Sequence, residues 1–123
     1  MAPAPTPRPS PRPIAAPPEL DRAALARGAE ALGLALTDAQ IQALDRFASL
    51  LLRWNRVHNL TAIGAGESFL THHLLDALSL VAPLRAVLDE RGVAAEAARV
   101  LDVGAGGGLP GIPLAIASPA LSV

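Results

Sequence analysis

The chain has 123 residues, 51% of them hydrophobic and 17% charged, which fits one small globular domain or part of a larger one. Ten arginines, no lysine and eleven acids leave a formal net charge of −1, so no global basic field advertises a nucleic-acid partner and any such binding must be local. The absence of cysteine excludes disulfides and thiolate metal sites.

Residues 1–18, MAPAPTPRPSPRPIAAPP, carry eight of the twelve prolines and no acid. Proline removes backbone donors and fixes φ, so the stretch reads as an extended, coreless tail. A PxxP-type ligand or a weak Arg-assisted RNA contact are its functional alternatives. It has no continuous apolar run of the kind a secretory signal needs, and a cytoplasmic location is expected. Residues 19–32 then place Leu20, Ala24, Leu25, Ala29 and Leu32 at helical spacing, with Gly33 where a C-terminal cap belongs. Thr37-Asp38-Ala39-Gln40 matches a capping box, opening a helix that puts Ile41, Leu44, Phe47, Ala48 and Leu51 on one stripe and runs to about Trp54. A third helix is predicted over about 67–82, burying Leu70, Leu74, Ala77, Leu78 and Val81 and stopping near Pro83. The next stretch, LRAVLDERGVAAEAA, reads as helical first and then as a polar connection. Residues 19–96 are thus expected to form a small helical region.

At Arg99 the period changes. RVLDV is a short β-rich run, four of the five residues from Gly104 to Gly108 are glycine, and PGIPLAIA is an apolar helix with prolines only in its first turn. Strand, glycine turn and helix together are the opening unit of a doubly wound α/β sheet. Residues 103–123 carry no charge, but the glycines and the breakers Pro110, Gly111 and Pro113 leave too short a helix to span a membrane. One such unit cannot make a sheet, so the sequence is expected to be an N-terminal piece of a longer protein or a truncated product.

Glycine lets a backbone pass where a Cβ would clash, and the N–H groups it exposes attract electron-rich ligand atoms. The GxGxxG pattern occurs at Gly106–Gly111, but it is displaced from the strand end at Val103. Counted from Gly104, Leu109 takes the third glycine position of a dinucleotide fingerprint. No GK[ST] is present, so a P-loop is excluded. What remains is Asp102 followed by Gly104, Gly106 and Gly108 at alternate positions, a spacing that resembles the first motif of S-adenosylmethionine-dependent methyltransferases. Another nucleotide-binding α/β protein and a purely structural turn stay open on the motif alone.

Upstream, RWNRVHNLTAI (53–63) packs Trp54, two arginines, two asparagines and a histidine into one helix end and its exit. A tryptophan at helical spacing is more often core than a base-stacking platform, and Asn59 and Thr61 suit caps or turns. In HHLLDAL (72–78), Asp76 lies four residues from His72 and three from His73, so a structural His–Asp hydrogen bond is expected and a metal site is not.

Taken in order, LLRWNRVHNLTAI, HHLLDALSL and LDVGAGGGLPGIPLAIASP closely resemble the bacterial small-subunit rRNA guanine-N7 methyltransferase family, also called glucose-inhibited division protein B. The resemblance covers about residues 30–120 and leaves out the proline tail. It implies an α/β protein with a disordered tail (1–18), an N-terminal helical region (19–96) and, over 97–123, the first β-α unit of a truncated Rossmann-like class I methyltransferase domain. It further implies a cytoplasmic, monomeric protein that takes S-adenosyl-L-methionine as cofactor and 16S rRNA as partner, with no membrane. By position, Asp102, Gly104, Gly106, Gly108 and Leu109 would form the cofactor loop, with Asp102 near the methionine amino group. Arg53, Asn55, Arg56 and Asn59 fall in the family's N-terminal signature, where a structural or an RNA-facing role is open for each. His73 and Asp76 match the family's His-x-x-Asp, but Ala77 stands where the family commonly has Ser. No catalytic side chain is expected, because guanine N7 carries a lone pair and no proton. The 123 residues alone are not expected to methylate or to bind the cofactor tightly. A different nucleotide-binding α/β enzyme and a non-enzymatic helical RNA- or protein-binding piece are the alternatives.

Overall fold

A computed structural model describes residues 20–62 and 67–123. The proline-rich tail expected over 1–18 lies outside the described residues.

The first helix, α1 (Arg22–Ala31), begins where the Asp21 carboxylate accepts the Ala24 N–H at 2.9 Å. It ends in a Schellman turn at Gly33, in which Leu34 N–H donates to Ala29 O and Gly33 N–H to Glu30 O, both at 2.9 Å. Leu25 and Ala29 are fully buried, while Leu20, Ala24 and Leu32 pack at the edge of the core.

Helix α2 (Asp38–His58) opens with the expected capping box: Thr37 Oγ1 accepts the Gln40 N–H at 3.2 Å, and Gln40 Oε1 accepts the Thr37 N–H at 2.9 Å. Leu44, Phe47, Ala48 and Leu51 form its buried stripe. It runs one turn beyond the predicted end at Trp54. Residues 55–58 hold no breaker, and Arg56 and His58 put basic side chains at the negative end of the helix dipole. It stops at Asn59, whose backbone is left-handed (φ 48°, ψ 50°), a conformation asparagine tolerates better than most residues. Arg22 of α1 ties to Asp45 of α2 through Nε at 2.8 Å.

The third helical stretch differs from expectation in two ways. After α3 (Glu67–Phe69) the backbone widens into a π-helical segment, Leu70–Leu75, before α4 (Asp76–Ser79). The widening sits where side chains compete for a backbone acceptor: both His72 Nδ1 (3.0 Å) and Thr71 Oγ1 (3.4 Å) reach Ser68 O. Pro83 does not end the helix. A break at Leu80 starts α5 (Val81–Glu90), and Pro83 then falls in a first turn, where its missing N–H would have had no intrahelical acceptor. The predicted inward residues Leu70, Leu74, Ala77, Leu78 and Val81 are all buried, Val81 from α5.

A 3-10 turn (Ala95–Ala97) leads to the glycine segment and to α6 (Gly111–Ala117), which packs on α2 and α4 and adds Leu114 and Ala117 to the same core. Gln40 helps hold it there: while its oxygen closes the capping box, its Nε2 donates to Ile116 O (2.9 Å) and Ala117 O (3.3 Å).

No strand forms over the predicted RVLDV among the described residues. Arg99 makes one parallel bridge with Ser122, with Val100 N–H donating to Ser122 O at 2.8 Å and Ser122 N–H to Ala98 O at 3.3 Å. A ladder extends only where another strand runs alongside, and beyond this bridge none does among the described residues. Leu101 and Val103 are accordingly 85% and 83% exposed. The architecture described is therefore helical.

Candidate functional site

The glycine segment turns through backbone conformations that side chains resist. Gly104, Gly106 and Gly108 have φ of 75°, 52° and 90°, whereas Gly107 does not share this conformation. The alternation expected from the sequence is thus an alternation of left-handed residues. At Gly106 the requirement is purely conformational, because a Cβ there would meet nothing within 4 Å. Gly107 is glycine for another reason: a Cβ would lie 2.5 Å from Leu51 Cδ1 of α2. The loop is thereby seated on α2 through Gly107 and presents an unobstructed backbone edge at Gly104 and Gly106.

Asp102 anchors the far side of the loop. Its Oδ2 accepts the Gly111 N–H at 2.8 Å, across the whole turn, so the carboxylate satisfies the first helical donor of α6. Pro110, the N-cap residue of α6, supplies no side-chain acceptor. Gly111 admits this approach because a Cβ would come within 2.6 Å of the same Asp102 oxygen. The sequence signals Asp102 as part of the motif, but its pairing with Gly111 was missed, since a nine-residue loop closure leaves no periodic trace. Leu109, expected at the cofactor, is half-buried against the core.

The RWNRVHNLT stretch separates into structural and exposed members. Asn55 Oδ1 accepts the Thr61 N–H at 2.6 Å and folds the exit of α2 back on itself. Asn59 supplies the left-handed terminus, and its N–H donates to Asn55 O at 3.1 Å. Arg53 and Arg56 are exposed on α2. Trp54 is not core: it is 53% exposed and stacks on His58 at a centroid distance of 5.6 Å and an interplanar angle of 29°. The helical spacing that favoured burial was misleading because the buried stripe of α2 ends at Leu51, three residues before Trp54.

The expected His–Asp bond is also replaced. Among the described residues no side-chain hydrogen bond joins the ring of His72 or His73 to the Asp76 carboxylate, and Asp76 meets His73 only through its backbone N–H, which donates to His73 O. His73 Nε2 lies 2.6 Å from Thr61 Oγ1, and its ring meets the edge of Phe69 at 5.1 Å. His72 turns instead to Ser68 O. The π turn thus aims His73 at the exit of α2, the same loop that Asn55 holds.

The family model for rRNA small subunit methyltransferase G matches residues 40–123, which include α2, the π segment and the glycine loop. The chain belongs to that family. Curated relatives carrying the name "Ribosomal RNA small subunit methyltransferase G" agree with it. The one from Acidovorax sp. (strain JS42) is 52% identical over 103 residues, covering 81% of this chain and 46% of the relative. The one from Ralstonia nicotianae is 54% identical over 102 residues (83% and 45%), and that from Burkholderia thailandensis is 55% identical over 102 residues (83% and 41%). The chain thus spans less than half the length of these relatives. No solved structure matches it. Within this methyltransferase G framework the glycine loop and the exit of α2 are adjacent, joined through Leu51 and Leu60, which are the side-chain neighbours of Gly107. No described helix is long and apolar enough to cross a membrane.

Proposed function

We propose that this chain carries the helical region and the first β-α unit of a Rossmann-like, S-adenosylmethionine-dependent enzyme that methylates N7 of a guanine in 16S rRNA. The observation that carries the reading is the glycine loop of a chain belonging to the methyltransferase G family. Its three alternate glycines are left-handed, and its backbone edge at Gly104 and Gly106 is clear of side chains. The parallel bridge between Arg99 and Ser122, with α6 between the two segments, supports a β-α-β start for 97–123. On this reading residues 19–96 form the helical region and the protein works as a cytoplasmic monomer.

The loop fits the cofactor because an open glycine edge lets a ligand approach main-chain N–H and C=O groups directly. Gly104 and Gly106 would line it, and Gly108 would set the turn. Asp102 would hold the loop's shape by way of Gly111 and could present its second oxygen to the methionine amino group. When bound, the cofactor supplies an electrophilic methyl group on a sulfonium. Guanine N7 needs no base to become a nucleophile, so this chain's residues have only to position the two partners and exclude water. No side chain of the chain is assigned a proton-transfer role.

The test is methyl transfer by a form extended over the length of the relatives, using labelled S-adenosylmethionine and 16S rRNA, with the modified atom mapped by N7-specific strand cleavage. Label at a guanine N7 is the expected result. Label on protein-free controls only, or at another atom, would overturn the reading.

A further inference from the structure

Helix α2 carries an exposed face that neither the core nor the glycine loop uses. Arg46, Leu50, Trp54 and Val57 follow one another at spacings of three and four residues, and Arg53 lies three residues after Leu50 and four before Val57, so the five share one side of the helix. Leu50, Trp54 and Val57 are 48%, 53% and 66% exposed, unusual for an unbroken apolar stripe on a helix surface. His58 covers one face of the indole. Between Arg46 and Gly66 the sequence has three arginines, one histidine and no acid, although the whole chain is slightly acidic. The preceding acid, Asp45, is taken by Arg22 of α1.

We propose that this face is a landing platform for single-stranded RNA. An unstacked base would lie on the Trp54 ring, backed by His58, while Arg46 and Arg53 take backbone phosphates. The inference rests on the rRNA methyltransferase reading and extends it to a defined surface. Aromatic rings with flanking arginines are what a flexible strand requires, because every base has a π-face and every nucleotide a phosphate. The arginines, two helical turns apart, are separated by about 10 Å along the axis and lead up to the aromatic from its N-terminal side. Leu51, one turn from Trp54 on the adjoining face of α2, contacts Gly107, so the platform adjoins the glycine loop. Charge complementarity favours RNA over an apolar protein partner: a protein docking on the stripe would have to desolvate Arg53, which has no acid beside it in the sequence, and Arg46, whose neighbour Asp45 is held by Arg22. Asn55 and Asn59 drop out of the RNA-facing set, since both shape the helix exit.

The chain provides its own probe, because Trp54 is its only tryptophan and it has no tyrosine. Titrating the 123-residue chain with hexa-adenylate should quench Trp54 emission saturably. An abasic ribose-phosphate hexamer of equal charge should compete at low salt without quenching. Trp54→Leu should weaken hexa-adenylate binding, read by anisotropy of a labelled strand, by about tenfold and leave the abasic hexamer unaffected. Arg46→Gln with Arg53→Gln should weaken both and flatten the salt dependence. Unchanged emission, equal quenching by the abasic strand, or wild-type affinity in Trp54→Leu would overturn the proposal, the first of these pointing to a protein partner for the stripe. Methyl transfer without quenching would refute this inference alone. Quenching by RNA without methyl transfer would support it while refuting the enzymatic reading.

Discussion

The helical region and the glycine segment are built on opposite principles. Between Leu20 and Glu90, order comes from burial: Leu25, Leu44, Leu74 and Leu78 are wholly inaccessible, and every helix contributes to one core. From Arg99 to Gly111, order comes from the backbone, through three left-handed glycines, one carboxylate closing a nine-residue turn, and a single parallel bridge. Apolar side chains in this second region are not buried by it. Leu101 and Val103 stand in solvent, beside a groove of about 410 Å3 between α5 and residues 100–103. The difference separates a scaffold, which tolerates change in its turns but not in its core, from a loop in which conformation matters more than contact.

The largest effect should follow from breaking the first principle. Leu74→Ala removes a fully buried side chain where the π segment meets the core, and should cost about 2–5 kcal/mol in denaturant unfolding. Next comes the carboxylate clasp. Asp102→Ala strands the Gly111 N–H and should cost about 1–2 kcal/mol, whereas Asp102→Asn keeps an acceptor and should lose less than half of that. Gln40→Ala removes both the capping box and the tether to α6, for about 1 kcal/mol, and should raise amide exchange selectively in α6. At the bottom of the scale, Leu101→Ser should change stability by less than about 0.5 kcal/mol despite replacing a leucine, because that side chain is already in water. A cost above 2 kcal/mol for Leu101→Ser would erase the contrast between the regions.

The division also explains what could be read from the sequence. Periodicity and caps are local, so the capping box at Thr37, the stop at Gly33 and the inward residues of α1, α2 and the third stretch were legible in advance. The π segment was not, because it depends on His72 and Thr71 competing for one carbonyl rather than on any apolar spacing. Pro83 was read as a stop because proline marks a helix boundary without saying which side of it the residue occupies. The candidate loop was visible through its glycine spacing. Its anchoring was not, since the Asp102–Gly111 and Asn55–Thr61 contacts close loops whose ends share no periodic pattern. The exposure of Trp54 was lost for the same kind of reason: helical spacing gives a residue's angle on the helix and not where the neighbouring helices end.

The central claim is that the open, left-handed backbone at Gly106 holds S-adenosylmethionine. The most direct measurement is isothermal titration of that cofactor into the form extended over the relatives' length, comparing wild type with Gly106→Val. A Cβ at this position meets nothing within 4 Å, but valine cannot readily adopt φ 52°. The account predicts an unchanged helical circular dichroism spectrum and an affinity lower by about a hundredfold. Equal affinity in the two proteins would contradict it.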